Sequence, residues 1–453
     1  MDKGNWKLEI GNWVKKKTKR SDNTLIFNST FSIQHLRLFL LLLTISINSV
    51  AQEQRFPKPE FETGYEQPDT TTPEPRSLSL EFVDVFILIA IMSLAAWFVF
   101  RTRSRRGILW LSLFSLAYFG FYRQGCICSV GSIQNIALSF TDPNYSVSLP
   151  TLAFFILPLL FTLLFGRLFC GSACPLGLIQ DLVIVKPIEI PRWLQQSLGL
   201  FPYIYLGLAV LYAATGTDFI ICRFDPFVGI FRLSGEFHLI VLGIAFLLMS
   251  LFVGRPYCRF VCPYGVLLNW VSRFSWKHLS ITPSKCIQCK LCTNSCPFDA
   301  IDYPSEDKSK LATKTNQGKL SIFLLLIPIW MLVFGFATSN IHTFLSKANS
   351  TVYLAELLIS QPELISESDN LDIETFRSSG KTIDELAAEA KDIQHQFYIG
   401  SWLLGLFLGL VIGVKLAKQF RFKKQVDYEA NKADCLSCGR CMDYCPVPQS
   451  ASN

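Results

Sequence analysis

At 453 residues the chain is long enough for about three soluble domains, yet half of its residues are apolar, 13% are aromatic and only 17% are charged. A mean hydropathy of +0.34 and several apolar runs near the roughly 20 residues that cross a bilayer exclude a soluble globule and predict an integral membrane protein with small soluble attachments. The net charge of +7 is carried by connections between apolar runs and reads as membrane topology, not as nucleic-acid binding.

Residues 1–37 hold eight Lys or Arg, including Lys15, Lys16, Lys17, Lys19 and Arg20. An apolar core from Leu38 to Ile47 follows, then Ser49-Val50-Ala51. This is the layout of a secretory signal peptide cleaved after Ala51, or of an uncleaved anchor. Residues 52–80 are rich in Pro, Glu and Thr and read as a disordered linker outside the membrane. Seven spans are expected, over 82–100, 107–122, 149–165, 200–216, 237–253, 320–338 and 398–417. With residue 52 outside, the cytoplasmic connections carry 24 Lys or Arg and the outer ones 10, which orients the chain in a bacterial cytoplasmic (inner) membrane by the positive-inside rule.

The membrane region contains an internal repeat. Gly166-Arg167-Leu-Phe-Cys170-Gly-Ser-Ala-Cys174-Pro175-Leu-Gly177 returns 88 residues later as Gly254-Arg255-Pro-Tyr-Cys258-Arg-Phe-Val-Cys262-Pro263-Tyr-Gly265. Asp142-Pro143 and Asp225-Pro226 precede the two copies, each followed by an apolar run. Such a repeat predicts two similar halves facing a shared site. Brought together, Cys170, Cys174, Cys258 and Cys262 would supply four soft ligands for a third iron–sulfur or other thiolate metal centre; the alternative is that they simply pack at helix ends.

Cys286 to Pro297 reads CIQCKLCTNSCP, and Cys435 to Pro446 reads CLSCGRCMDYCP. Both follow the C-x2-C-x2-C-x3-C-P spacing of two-cluster ferredoxins, in which the fourth cysteine of each run ligates the other cluster. This assigns Cys286, Cys289, Cys292 and Cys445 to one 4Fe-4S cluster and Cys435, Cys438, Cys441 and Cys296 to a second. Structural zinc, the other common use of paired cysteines, spaces its pairs by a long gap. Iron–sulfur thiolates require a reducing compartment, in agreement with the cytoplasmic side assigned by charge.

The chain therefore divides into a signal or anchor (1–51), a linker (52–80), a five-helix membrane region (81–275), a first ferredoxin half (276–318), a transmembrane helix pair (319–418) and a second ferredoxin half (419–453). The fold class is a mainly α membrane protein with a split α+β ferredoxin. Between the last two spans, residues 339–397 hold ten acidic and four basic residues and read as a solvated helical hairpin or a docking surface for a cationic partner. Thr382-x-x-Glu385 is a capping box opening a short helix there, and Gly405, Gly409 and Gly413 predict close helix packing in the last span.

Three further cysteines lie on the outer side: Cys126, Cys128 and Cys222. They could form a disulfide between the halves, act as redox thiols or ligate an outer metal. His35, His238, His278, His342 and His395 offer no haem pair across a span.

Two Gly-Arg-x2-Cys-x3-Cys-Pro-x-Gly loops joined to paired ferredoxin runs resemble the membrane polyferredoxins of the NapH/NosR type, over residues 82–446 and most closely NosR. The resemblance implies electron transfer across the cytoplasmic membrane towards periplasmic reductases or their maturation. Residues 52–80 are too short for the flavin-binding domain at the front of NosR, so a flavin is expected only on a partner. The donor would be a cytoplasmic ferredoxin or flavodoxin, or quinol; the acceptor a periplasmic flavin- or metal-containing redox protein. An electron conduit, a quinol dehydrogenase subunit and a redox-sensing assembly factor are the competing functions, and a component of an oxidoreductase system is expected over a stand-alone catalyst.

Overall fold

The structure is a computed structural model that describes residues 77–447, except 126–127, 186, 189, 283–285, 305–309, 362–370 and 421–424. The signal or anchor (1–51), nearly all of the linker and Cys126 lie outside the described residues.

The described chain is mostly helical. Four helices are long and apolar enough to cross a membrane: Leu78–Phe100, Trp193–Ala214, Gly318–Ser339 and Ile383–Lys418. In α1 (Leu78–Phe100), Val85, Leu88, Met92, Ala95 and Val99 recur every three or four residues and are all buried, the face expected of a helix packed on one side. The run at 107–122 divides into α2 (Arg105–Ser115) and a π-helical stretch, Leu116–Tyr122. The runs at 149–165 and 237–253 form shorter apolar helices, α3 (Leu149–Phe165) and, further on, Phe237–Ser250.

Each Cys-x3-Cys-Pro motif breaks the chain into two short helices. The first copy gives α4 (Leu168–Ser172) and α5 (Pro175–Leu182). After α6 (Phe201–Ala214) and α7 (Phe237–Ser250), the second gives α8 (Pro256–Phe260) and α9 (Pro263–Ser272). Pro175 and Pro263 start α5 and α9, where a missing N–H costs nothing, so Cys174 and Cys262 take the N-cap positions.

The two ferredoxin halves close on each other through an antiparallel pair, β1 (Ile301–Asp302) with β2 (Glu429–Ala430), in register Ile301 to Ala430 and Asp302 to Glu429. The connection between them contains α10 (Ile327–Ser339) and α11 (Ile383–Lys418). The capping box forms as expected: the Thr382 side chain accepts from the Glu385 N–H at 3.3 Å, and the Glu385 carboxylate from the Thr382 N–H at 2.9 Å. The helix it opens is not short, however. No Gly or Pro interrupts residues 383–399, so the turn runs on unbroken into the span as one helix of 36 residues. A Cβ at Gly405 would strike the Phe334 carbonyl and one at Gly409 the Trp330 carbonyl, the close approach expected of α11 on α10. The segment outside these two helices builds its own small core, with Val352, Ala355, Leu358, Ile373 and Phe376 packed on Leu386 and Ala390 of α11.

Candidate iron–sulfur site

The two ferredoxin runs fold alike. The Gln288 N–H donates to Cys286 Sγ at 3.4 Å, and the Ser437 N–H to Cys435 Sγ at 3.4 Å. Gln288 and Lys290 in the first loop, and Ser437 and Gly439 in the second, adopt left-handed backbone with φ between 52° and 76°. That conformation turns each loop tightly enough for successive thiols to line one cavity.

Two small cavities result, and the thiols cross between the runs. Cys286, Cys289, Cys292 and Cys445 line the first, with Ile281 and Tyr428 around them. Cys296, Cys435, Cys438 and Cys441 line the second, under Leu279 and Phe298. Burial pushes the Cys435 thiol up to about 12 and Cys292 up to about 11, so thiolates there require a cation to draw off the proton. Among the described residues no three His, Cys, Asp or Glu side chains converge as a single metal ion would require. Four thiols set around a void fit the ligand set of an iron–sulfur cluster.

The second cavity sits against both Cys-x3-Cys-Pro loops. A Cβ at Gly171 would collide with the Leu436 carbonyl, and one at Gly254 with the Pro297 carbonyl. Only glycine allows two backbones this close. Polar contacts fasten the same seam: Arg167 donates to the Ala433 carbonyl at 3.0 Å, and Asn269 to the same carbonyl at 2.9 Å and to Asp434 at 3.1 Å.

Cys170, Cys174, Cys258 and Cys262 lie in or against one hydrophobic core. The two motif arginines cross between the copies. Arg255 Nη1 lies where a Cβ on Gly177 of the first copy would be 2.9 Å away, and Arg167 Nη2 stands 3.5 Å from the equivalent point on Gly265 of the second. Arg255 is only 1% exposed; it donates to the Cys170 carbonyl, meets Asp181 at 3.4 Å and lies 5.4 Å from the centre of the Phe298 ring. Asp181 also holds Arg440 of the second ferredoxin run at 3.0 Å. Gln180 donates to Cys258 Sγ at 3.4 Å and accepts from the Tyr257 N–H at 3.0 Å. Sequence reasoning missed Gln180 and Asp181, since neither recurs at the matching place in the second copy, where Leu268 and Asn269 stand.

At the remaining cysteines, a Cβ at Gly131 would lie 3.0 Å from Cys222 Sγ and 4.0 Å from the Cys128 side chain. Cys128 carries an unbridged thiol in the structure. Burial, with Asp225 nearby, pushes the Cys128 thiol up to about 12. Span lengths place these residues far from the Cys-x3-Cys motifs, yet Cys128 packs against the same core as Cys174, Cys258 and Cys262. The short helices α5 and α9 that follow the motifs pack against longer ones, and Cys128 is within electrostatic reach of Cys262.

A family described as "4Fe-4S binding domain" matches residues 147–200 and 237–282, the stretches carrying the two Cys-x3-Cys-Pro motifs, and another of the same description matches 279–302, the first ferredoxin run. Among curated relatives, an uncharacterised protein of Methanocaldococcus jannaschii is 27% identical over 40% of this chain and 77% of its own length. The putative electron transport protein YccM of Escherichia coli is 27% identical over 37% of this chain and 52% of its own. The regulatory protein NosR of Stutzerimonas stutzeri is 27% identical over 45% of this chain and 30% of its own. The chain thus spans about half of YccM and under a third of NosR. No solved structure matches.

Proposed function

We propose that this chain, similar to membrane ferredoxin-type proteins of the NosR/NapH kind, conducts electrons across the membrane, from a cytoplasmic ferredoxin, flavodoxin or quinol to a redox protein on the outer side. The observation that carries this reading is the seating of the second cysteine cavity directly on both Cys-x3-Cys-Pro loops. In this proposal Cys286, Cys289, Cys292 and Cys445 hold one 4Fe-4S cluster, Cys296, Cys435, Cys438 and Cys441 the other, and Cys170, Cys174, Cys258 and Cys262 a third thiolate centre. When bound, such clusters take up and release single electrons.

The residues of the chain set the route. Arg255 places a buried positive charge within electrostatic reach of both Cys258 and Cys438, favouring added negative charge on either side. Beyond the tetrad, the Tyr257 ring meets the Phe227 ring edge-on at 5.4 Å. Asp225 accepts the Phe227 N–H at 2.9 Å, and Cys222 lies three residues upstream. This run leads from the tetrad towards the outer cysteines through the buried Tyr257, Phe227 and Asp225, and ends at the exposed Cys222. The seven-span topology, the two repeat halves and the cytoplasmic ferredoxin belong to the same proposal.

Two expected outcomes arise here. Cys445→Ser should abolish the signal of the cluster held by Cys286, Cys289 and Cys292 in electron paramagnetic resonance and leave the second intact; loss of the second alone would show that ligands do not cross. A periplasmic reporter fused after Ser379 should be active and one fused after Pro446 inactive, the reverse pattern placing the ferredoxin outside.

A further inference from the structure

The Cys-x3-Cys-Pro motifs have a second, fainter echo in the chain, at residues the tetrad does not use. Cys128-Ser-Val-Gly131-Ser-Ile-Gln134 matches Cys174-Pro-Leu-Gly177-Leu-Ile-Gln180 at four of seven positions. Cys222-Arg-Phe-Asp225-Pro226 matches Cys258-Arg-Phe-Val-Cys262-Pro263 once a single residue is skipped. Cys128 thus stands for Cys174, Cys222 for Cys258 and Asp225 for Cys262.

The hydrogen bonds repeat along with the letters. Gln180 Oε1 accepts the N–H of Tyr257, the residue before Cys258, at 3.0 Å; Gln134 Oε1 accepts the N–H of Ile221, the residue before Cys222, also at 3.0 Å. The Leu178 N–H donates to the Cys174 carbonyl at 3.3 Å and the Ser132 N–H to the Cys128 carbonyl at 3.1 Å. Each thiol also accepts the N–H of the glycine three residues on: Gly177 for Cys174, Gly265 for Cys262 and Gly131 for Cys128. At the fourth position the buried Asp225 carboxylate takes the N–H groups of Phe227, at 2.9 Å, and Val228. Asp225 and Cys222 are both within electrostatic reach of Cys128.

One side chain is left incomplete by this arrangement. Gln134 is 0% exposed, and its Nε2 has no hydrogen-bond partner among the described residues. The matching atom of Gln180 donates to Cys258 Sγ at 3.4 Å. Because Gln134 is anchored through Oε1 to the Ile221 N–H, its open amide is presented beside Cys222. A buried donor without an acceptor is costly and points to a group that completes it.

We propose that Cys128, Cys222 and Asp225 ligate a further iron–sulfur cluster, a counterpart of the tetrad, with the Gln134 amide donating to it. The proposal rests on the electron route above. Like the ferredoxin quartets, these donors do not converge as a single ion would require, whereas a cluster spans donors set further apart. Replacing thiolate by a non-thiolate ligand raises a cluster's potential. An electron would therefore pass from the all-cysteine tetrad to this cluster and on to a one-electron acceptor, with no bond made or broken. Cys128 lies within electrostatic reach of Cys262 on the entry side, and Cys222 is exposed for the exit.

The test is iron and acid-labile sulfide content, with low-temperature electron paramagnetic resonance, of the full chain purified anaerobically and titrated with dithionite. A C128S/C222S variant should lose one signal, with its iron and sulfide, that the wild type and a C174S/C262S variant both retain. Asp225→Cys, which supplies a third thiolate, should keep the iron and lower the potential at which that signal appears; it decides the matter if the double variant fails to fold. Unchanged iron and sulfide in folded C128S/C222S, or unshifted signals in Asp225→Cys, would overturn the site. Zinc in place of iron, or a disulfide at Cys128 or Cys222 in the anaerobic wild type, would overturn it too. A signal lost in C128S/C222S from a wild type that moves no electron to an outer acceptor would contradict the conduit and still establish the site.

Discussion

A Cys174→Ser, Cys262→Ser double variant should keep both ferredoxin clusters and lose electron transfer across the membrane altogether. The two cysteines are N-caps of α5 and α9, one in each Cys-x3-Cys-Pro copy, so each substitution removes a soft ligand while a serine still suits the N-cap. The ferredoxin ligands are untouched, since the cavities they line contain neither residue. What disappears on the proposed route is the thiolate centre between the ferredoxin clusters and Cys128 and Cys222. Reduction of an outer acceptor, at matched membrane levels, should fall to background while the low-temperature signals of both clusters persist. Ordinary acceptor reduction in the folded double variant would return these cysteines to a packing role.

The second large effect concerns docking. Gly171→Val and Gly254→Val each drive a branched side chain into a carbonyl, that of Leu436 or Pro297. Overpacking ordinarily costs about 1–3 kcal/mol, and a backbone carbonyl within a cluster loop has no rotamer by which to give way. Both variants should shift the second ferredoxin loop off the bundle. The cluster held by Cys296, Cys435, Cys438 and Cys441 should become labile to chelators, and transfer should drop about 10- to 100-fold, the usual cost of losing support behind a metal ligand. The cluster held by Cys286, Cys289, Cys292 and Cys445, whose cavity is lined by no residue of either motif, should persist. Gly318→Val, at a glycine with open space around it, serves as the control. Equal lability of both clusters would mean that the seam stabilises the whole ferredoxin and does not seat one cluster.

How far the sequence could be read depended on whether each feature is local. The cysteine runs were legible because a spacing of two and three residues closes a loop whatever surrounds it, and the crossing of Cys296 and Cys445 between cavities follows from that spacing. The capping box at Thr382 was legible for the same reason. The length of the helix it opens was misjudged, since the absence of a breaker is a weaker signal than the presence of a cap. Arg167 and Arg255 stood in the repeated motif, but that each reaches over the other copy depends on how two short helices pack across a core. Asp181 carries no signal at all: it matters because Arg255 and Arg440, 74 and 259 residues away in sequence, arrive on either side of it. The electrostatic reach between Cys128 and Cys262 was likewise hidden, because counting spans assigns residues to membrane faces and says nothing of how short helices pack between them.

The central claim is that electrons cross the membrane through this one chain. The most direct measurement reconstitutes the anaerobically purified protein, with both clusters verified by iron and sulfide content, into liposomes holding a trapped, membrane-impermeant acceptor. A low-potential donor is then supplied to the ferredoxin face alone. The conduit requires that the trapped acceptor be reduced at a rate that scales with the protein present and falls to that of empty liposomes in the Cys174→Ser, Cys262→Ser variant. Full reduction of the ferredoxin clusters with no reduction of the trapped acceptor would contradict it.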